Sequence, residues 1–422
     1  MMRMKGLVDD SQAAWFGSLM TVGAMFGGPL AGLLIEKYGR KRTMFLSSLP
    51  FAAGYVLILL ADKGTLMYLF CGRLMTGLAS GMVTVVVPVY IAEVSTKTLR
   101  GALGSGVQLS ITIGILLAYS LGFALDLRPM ACVGIICATL IAATSFFTPE
   151  TPRYLLMRNQ KAAALKSLHD LRGPHTDVQE ECRDIEDALS PQEGVSWRDF
   201  SKAELYRPLQ IAIGLMVFQQ CSGINAIMFY TVSIFRSAGF KESGELATVL
   251  IGVVQVVATL LSLMVIERAG RRTLLLFGGA LMTITCITFG WYYHAVSGVA
   301  ESQLAAGNLA WLPIASLIIY MIGFSFGWGP IPMVLTSEIF PSQARGTACG
   351  ISIFINWLCG FLVTKEFISL QAVLGPAMTF WLFAMFCFLS MVFVWRLVPE
   401  TKGKSLEDIE LYFLGRSLIR GV

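Results

Sequence analysis

The stretch Phe218-Gln219-Gln220-Cys221-Ser222-Gly223-Ile224-Asn225 sets three carboxamides inside an otherwise apolar run. A carboxamide buried without a partner costs roughly 1–3 kcal/mol. Gln219, Gln220 and Asn225 must therefore bond to one another, to a neighbouring helix, or to something that enters. Each offers a donor and an acceptor and carries no charge, which suits reversible hydrogen bonding rather than bond making. On an ideal helix, residues five apart differ by about 140° at about 100° per residue, so Gln220 and Asn225 would not share a face. Ser222-Gly223 lies between them, placed to loosen the helix. Groups for reaction chemistry are scarce: three His, and nine Cys with no C-x-x-C pair. Neither a disulfide frame nor a metal centre is expected. No G-x-x-x-x-G-K-[ST] phosphate loop occurs. The expectation is a protein that is not an enzyme and needs no cofactor.

The elements that must position these amides are membrane helices. Hydrophobic residues make up 55% of the 422, charged ones 14%, and the mean hydropathy is +0.68. A soluble domain carries about 25% charged residues. Apolar runs of spanning length fall at 12–35, 43–61, 66–92, 103–125, 129–147, 208–235, 246–266, 273–294, 310–336, 347–366 and 376–397, eleven in all. No cleavable signal peptide is evident at the start. Placing alternate connections on one side gathers most of the 32 Lys and Arg there, so that side is cytoplasmic, with the C-terminus inside and the N-terminus outside. The net charge of +5 follows from this loop bias and implies no nucleic-acid partner.

One polar connection, 148–207, divides the chain. The expected organisation is an N-terminal membrane bundle over 1–147, a cytoplasmic helical linker over 148–207, a six-helix bundle over 208–397 and a cytoplasmic tail over 398–422. Each bundle carries the same signals in the same order. EKYGRKR (36–42), EVSTKTLRG (93–101) and PETPR (149–153) are answered by ERAGRR (267–272), EIFPSQARG (338–346) and PETKG (399–403). Internal repeats of this kind are the plan of many secondary transporters. The charges in these loops, Glu36, Arg40, Glu93, Arg100, Glu267, Arg271, Arg272, Glu338 and Arg345, are expected to pair across the two blocks and to shut the cytoplasmic side in one state. In GFSFGWGPIPMVLTSEIFP (323–341), Gly327, Gly329, Pro330 and Pro332 must weaken or kink the helix, as a gate hinge would.

Taken together, the R-x-G-R-[KR] loops, PETPR, QQ-x-SG-x-N, GPIP-x-x-x-x-SEIFP and PETKG make the chain similar to the sugar porter family of the major facilitator superfamily. The resemblance covers essentially the whole chain. It implies an all-α membrane protein of two pseudo-symmetric helix bundles with twelve spans. Here the first R-x-G-R loop follows the first span, so the family's helix 1 is expected to be missing and the eleven runs to be its helices 2–12. The resemblance marks Gln108, Gln219, Gln220, Asn225 and Asn356 as sugar ligands. It adds Gln255 where many members have Asn, and Met333 where the family usually has a Trp stacked on the sugar. Ser325 stands where some members have Glu, and Gly360 where some have another Asn. Arg73, inside the third span, stands where related symporters pair an Arg with an acid on helix 1.

The implied function is facilitative, alternating-access transport of a hexose, held near the midplane between the halves. Two other functions fit the same residues: a proton-coupled sugar, trehalose or polyol symporter, and a non-transporting sugar sensor or truncated partner of a full carrier. The implied partners are a small sugar and the lipid bilayer, with no obligate protein partner. The plasma membrane and an endolysosomal or other cytoplasmic vesicle membrane both fit.

Overall fold

The structure is a computed structural model that describes residues 10–62, 65–96, 100–173, 176–188, 203–228, 231, 244–297, 311–340, 344–402, 404, 409 and 412–413. Among the described residues the regular elements are all helical. The apolar helices of the first part are α1 (Asp10–Tyr38), α2 (Arg40–Leu60), α3 (Leu66–Val94), α4 (Arg100–Ala124) and α5 (Leu127–Phe147). Three short polar helices follow: α6 (Pro152–Met157), α7 (Lys161–Arg172) and α8 (Gln179–Ala188). The remainder comprises α9 (Ala203–Cys221), α10 (Gly244–Ala269), α11 (Arg271–Ala295), α12 (Leu312–Gly323), a π-helical turn at Phe324–Trp328, α13 (Ile331–Glu338) and α14 (Arg345–Leu397).

A helix of 53 residues would run about 80 Å at 1.5 Å per residue, far beyond a hydrocarbon core of about 30 Å. Gly375, at φ 80 and ψ 161 and followed by Pro376, divides α14 into two spans. Among the described residues, nine helices are long and apolar enough to cross a membrane, α14 counted once, and Gly106–Gly122 is a shorter apolar stretch. Dividing α14 and adding that stretch recovers the eleven expected runs, to within the ends of each helix.

Two compact units emerge. One comprises 1–104, 127–199 and 342–354; the other comprises 105–126, 200–341 and 355–422. Most of α4 groups with the second of these. Two of its side chains show why. The Tyr119 hydroxyl donates to the Met228 carbonyl at 3.2 Å, and Leu116 packs at Gly252, where an added Cβ would lie 3.1 Å from it.

In the first unit, α1 and α3 approach through glycines. A Cβ at Gly23, Gly27, Gly77 or Gly81 would run into the backbone carbonyl of Leu74, Leu78, Met20 or Ala24 respectively. These are two facing G-x-x-x-G pairs. In a bilayer, where apolar burial gives no drive between helices, such close backbone packing supplies the attraction. The polar helices α6–α8 close over their own small core of Leu156, Ala164, Leu168, Val178 and Cys182. Arg172 ties them to the membrane part: it binds Glu181 through two nitrogens at 3.0 and 2.7 Å and donates to the Val94 carbonyl ending α3 at 2.8 Å.

Candidate functional site

The amide stretch sits at a helix break in the second unit. Helix α9 ends at Cys221, Ser222-Gly223 forms a turn, and helical backbone resumes over 224–228. Gly223 has φ +88, and a Cβ there would lie 2.6 Å from the Phe383 ring, so no other residue fits. The carbonyl that the break frees, that of Ser222, accepts from the buried Tyr320 hydroxyl at 3.0 Å. The turn cancels the 140° separation and brings Asn225 back over Gln220.

A continuous chain of carboxamides results. Asn225 Nδ2 donates to Gln220 Oε1 at 2.6 Å, and Gln220 Nε2 donates to Asn356 Oδ1 at 2.9 Å. Asn356 Nδ2 donates to Gln219 Oε1 at 2.7 Å, and Gln219 Nε2 donates to the Trp328 carbonyl at 2.6 Å. All four donors point the same way along the chain, so each bond polarises the next. Gln219 and Gln220 are only 8% and 5% exposed, whereas Asn225 and Asn356 are half-buried. Gly360 leaves room for the first link: a Cβ there would lie 3.1 Å from Asn225 Nδ2 and 3.3 Å from Gln220 Oε1. Each member makes at least one bond of this chain without a ligand, so an entering hydroxyl replaces a bond of equal kind. Binding on such a chain is weak and reversible, as release demands; a millimolar Kd corresponds to only about −4 kcal/mol.

A second break stands against the first. Helix α12 loosens into the π turn, where Gly329 N–H donates five residues back to the Phe324 carbonyl at 2.7 Å, and α13 starts afresh at Ile331. Gly327 serves close packing rather than an unusual backbone angle, since a Cβ there would lie 2.5 Å from the Leu274 carbonyl. Gly329, Pro330 and Pro332 are buried at the break itself. Trp328 is 1% exposed, its indole N–H donating to the Leu275 carbonyl at 3.1 Å.

The remaining expected ligands lie outside the carboxamide chain. Gln108 is half-buried on α4, and Met333 half-buried on α13. Gln255 is 2% exposed on α10, and its Oε1 is buried with no partner; the Ser325 hydroxyl is likewise buried and unpartnered. The Arg73 guanidinium lies over the Phe16 ring, 4.1 Å from its centroid. Tyr230 lies outside the described residues.

At the repeated loop motifs the two units repeat one clamp. In the first, Arg40 pairs with Glu93 at 2.6 Å, and the Thr151 hydroxyl donates to the other Glu93 oxygen at 2.7 Å. Glu150 accepts from the N–H groups of Arg40 and Lys41 at 3.0 and 3.2 Å, and Lys41 Nζ reaches the Phe146 carbonyl at 2.9 Å. In the second, Arg271 pairs with Glu338 at 3.3 Å, and the Thr401 hydroxyl donates to Glu338 at 2.7 Å. Glu400 accepts from the N–H groups of Arg271 and Arg272 at 2.9 and 3.0 Å, and the Arg272 guanidinium reaches the Trp395 carbonyl. Each carboxylate thus caps a helix N-terminus, where unpaired N–H groups and the helix dipole favour negative charge.

Arg40–Glu93 and Arg271–Glu338 each join two helices of one unit. Gly39 and Gly270, at φ +87 and +88, turn the chain in one residue, so the Arg that follows starts the next helix and faces a neighbour in its own bundle. Glu36 is exposed, its carbonyl accepting from Arg158 at 3.4 Å. The side chains of Arg100, Glu267 and Arg345 lie outside the described residues. Sequence reasoning missed Glu150, Thr151, Glu400 and Thr401 as clamp members, although the repeated Pro-Glu-Thr carried the signal. It also missed Tyr320 and the Trp328 carbonyl, which no local pattern marks.

Apolar spanning helices, two interrupted helices meeting through neutral amides, and a clamp repeated once per unit define a multi-pass helical carrier built from two repeats. The fold matches a solved structure described as the proton:xylose symporter XylE of the major facilitator superfamily bound to 6-bromo-6-deoxy-D-glucose, with a TM-score of 0.82 at 24% identity over 98% of this chain and 93% of that one. The sequence matches the family model "Sugar (and other) transporter" over residues 3–413, and the chain belongs to that family. It is 42% identical over 425 residues to the "Solute carrier family 2, facilitated glucose transporter member 8" of Mus musculus, covering 96% of this chain and 86% of that protein. It is 38% identical over 413 residues to the "Facilitated trehalose transporter Tret1" of Apis mellifera ligustica, covering 97% and 81%. These relatives are transporters, not enzymes, and the function of this chain is sugar transport across a membrane.

Proposed function

We propose that the chain carries a hexose-like sugar by facilitative alternating access, with the carboxamides of Asn225, Gln220, Asn356 and Gln219 as its principal ligands. The observation that carries this reading is their unbroken hydrogen-bonded chain. A sugar hydroxyl both donates and accepts, so it can take the place of an amide in such a chain without leaving an orphan atom. The site is neutral, so the sugar needs no accompanying charge. Gln255 Oε1 and the Ser325 hydroxyl, buried without partners, add hydrogen-bonding capacity, and Gln108 completes the ligand set. Met333 gives the sugar an adaptable apolar contact in place of a flat ring. The breaks at Ser222-Gly223 and at Gly327–Pro332 are where α9 and the α12–α13 helix bend as access alternates, and the clamps keep the cytoplasmic helix ends of each bundle moving together. The plasma membrane or an endolysosomal vesicle membrane is the proposed location.

Purified chain in liposomes tests the reading. Labelled glucose, fructose and trehalose are offered in turn, and at least one hexose is expected to equilibrate down its gradient without acidification. Uptake of none would overturn the reading; uptake with stoichiometric proton entry would replace uniport by symport. Gly360→Val is expected to weaken sugar binding about tenfold or more, because its methyl groups would part Asn225 from Gln220. Calorimetric titration in detergent measures that loss.

A further inference from the structure

Proline has no N–H, so Pro330 and Pro332 leave the carbonyls four residues before them, of Phe326 and Trp328, without their helical donors. Such groups cannot stay bare at membrane depth; neighbouring helices and Ser or Thr side chains have to satisfy them. Here both have found donors on other helices. Ser262 Oγ on α10 lies 3.3 Å from the Phe326 carbonyl, and Gln219 Nε2 on α9 lies 2.6 Å from the Trp328 carbonyl. Ser262 is completely buried and Gln219 is 8% exposed, so protein rather than bulk water surrounds both. The backbone offers little alternative. The Gly329 N–H is already taken five residues back by Phe324, and α13 resumes α-helical bonding only with Val334 N–H to the Pro330 carbonyl.

We propose that Ser262 and Gln219 are positioning residues for the broken helix, each strapping one proline-orphaned carbonyl and so setting how readily the Phe324–Pro332 segment bends. Gln219 does this with the same carboxamide that accepts from Asn356, which joins the amide chain to the break. Ser262 stands apart from that chain and holds the Phe326 carbonyl alone. The consequence for transport rests on the sugar-carrier reading; the straps themselves do not.

Deuterium exchange of the purified chain without sugar tests the straps. Ser262→Ala is expected to speed exchange of the 329–338 amides about fivefold, the worth of one net hydrogen bond, while Ser262→Thr, which keeps the hydroxyl, leaves it unchanged. In a Pro330→Ala background the restored N–H takes the Phe326 carbonyl, and Ser262→Ala is expected to add nothing. Equal acceleration in both backgrounds would mean a packing defect and overturn the proposal, as would no acceleration in either. In liposomes, Ser262→Ala is expected to alter the uptake rate with sugar Kd unchanged. Absence of sugar uptake by the unaltered chain would sink the sugar reading yet leave the exchange result to decide the straps.

Discussion

Gln219→Leu should lower sugar affinity by about 100-fold or more while the chain still inserts and remains monodisperse in detergent. The side chain occupies the middle of two dependencies: its oxygen accepts from Asn356 and its nitrogen donates to the Trp328 carbonyl. Leucine removes both. The Trp328 carbonyl then loses its closest donor, at about 1–3 kcal/mol. Asn356 Nδ2 keeps only its longer contacts to the Met216 carbonyl and sulfur, at 3.5 and 3.3 Å, which loosens its link to Gln220. A site built on paired polar groups loses far more than one contact when one member goes. Insertion is set by apolar composition, which leucine raises, so it should not suffer. Isothermal titration with the hexose that the unaltered chain transports measures the loss; an affinity within threefold of the original would take Gln219 out of the site.

Gly39→Ala and Gly270→Ala should each destabilise the fold by about 2–4 kcal/mol, seen as a fall of roughly 2–5 °C in the unfolding midpoint of this 422-residue chain. Two costs add. The backbone at φ 87, ψ 175 and φ 88, ψ 154 lies in a region essentially reserved for glycine and strains any L side chain by about 1–3 kcal/mol. The new methyl group would also press on the Glu150 or the Glu400 carboxylate. Each carboxylate is the far end of a flexible side chain and can swing away, but then two helix N-terminal N–H groups lose their acceptor, worth about 0.5–2 kcal/mol for a cap. Gly173→Ala separates the two costs: its φ is +94, yet a Cβ there meets nothing within 4 Å. It should show the backbone strain alone, and so the smaller fall. Equal falls at all three positions would mean that the carboxylates contribute nothing. The twin substitutions also test whether the clamps are equivalent, as their matched geometry implies.

Much of the fold was legible because a membrane imposes one coarse rule, apolar runs of fixed length, on every span. The runs at 347–366 and 376–397 are separated in sequence by 367–375, and Gly375, just before Pro376, is where the helical backbone is interrupted. The clamps were half legible. The repeated Glu, Arg and Pro-Glu-Thr residues could be named, but which Arg meets which Glu within a unit could not, since position along the chain says nothing about which way an Arg points after a one-residue glycine turn. What α4 packs against, such as Leu116 on Gly252, was likewise invisible, because its apolar surface fits either neighbour and only packing chooses.

For the candidate site, the sequence alone determined which groups are present: neutral amides in apolar helices, a Ser-Gly break between them, and two prolines in a third segment. Those follow from residue type and local backbone rules. What tertiary structure decided is the order of the hydrogen bonds. Asn356 and Gln220 are 136 residues apart, and Gln219 and Trp328 are 109 apart. Hydrogen bonds reach only about 3 Å, so no periodicity within one helix could predict either pairing. Sequence identified the amides as groups in need of partners; packing of separate helices made those partners each other and a carbonyl that proline had set free.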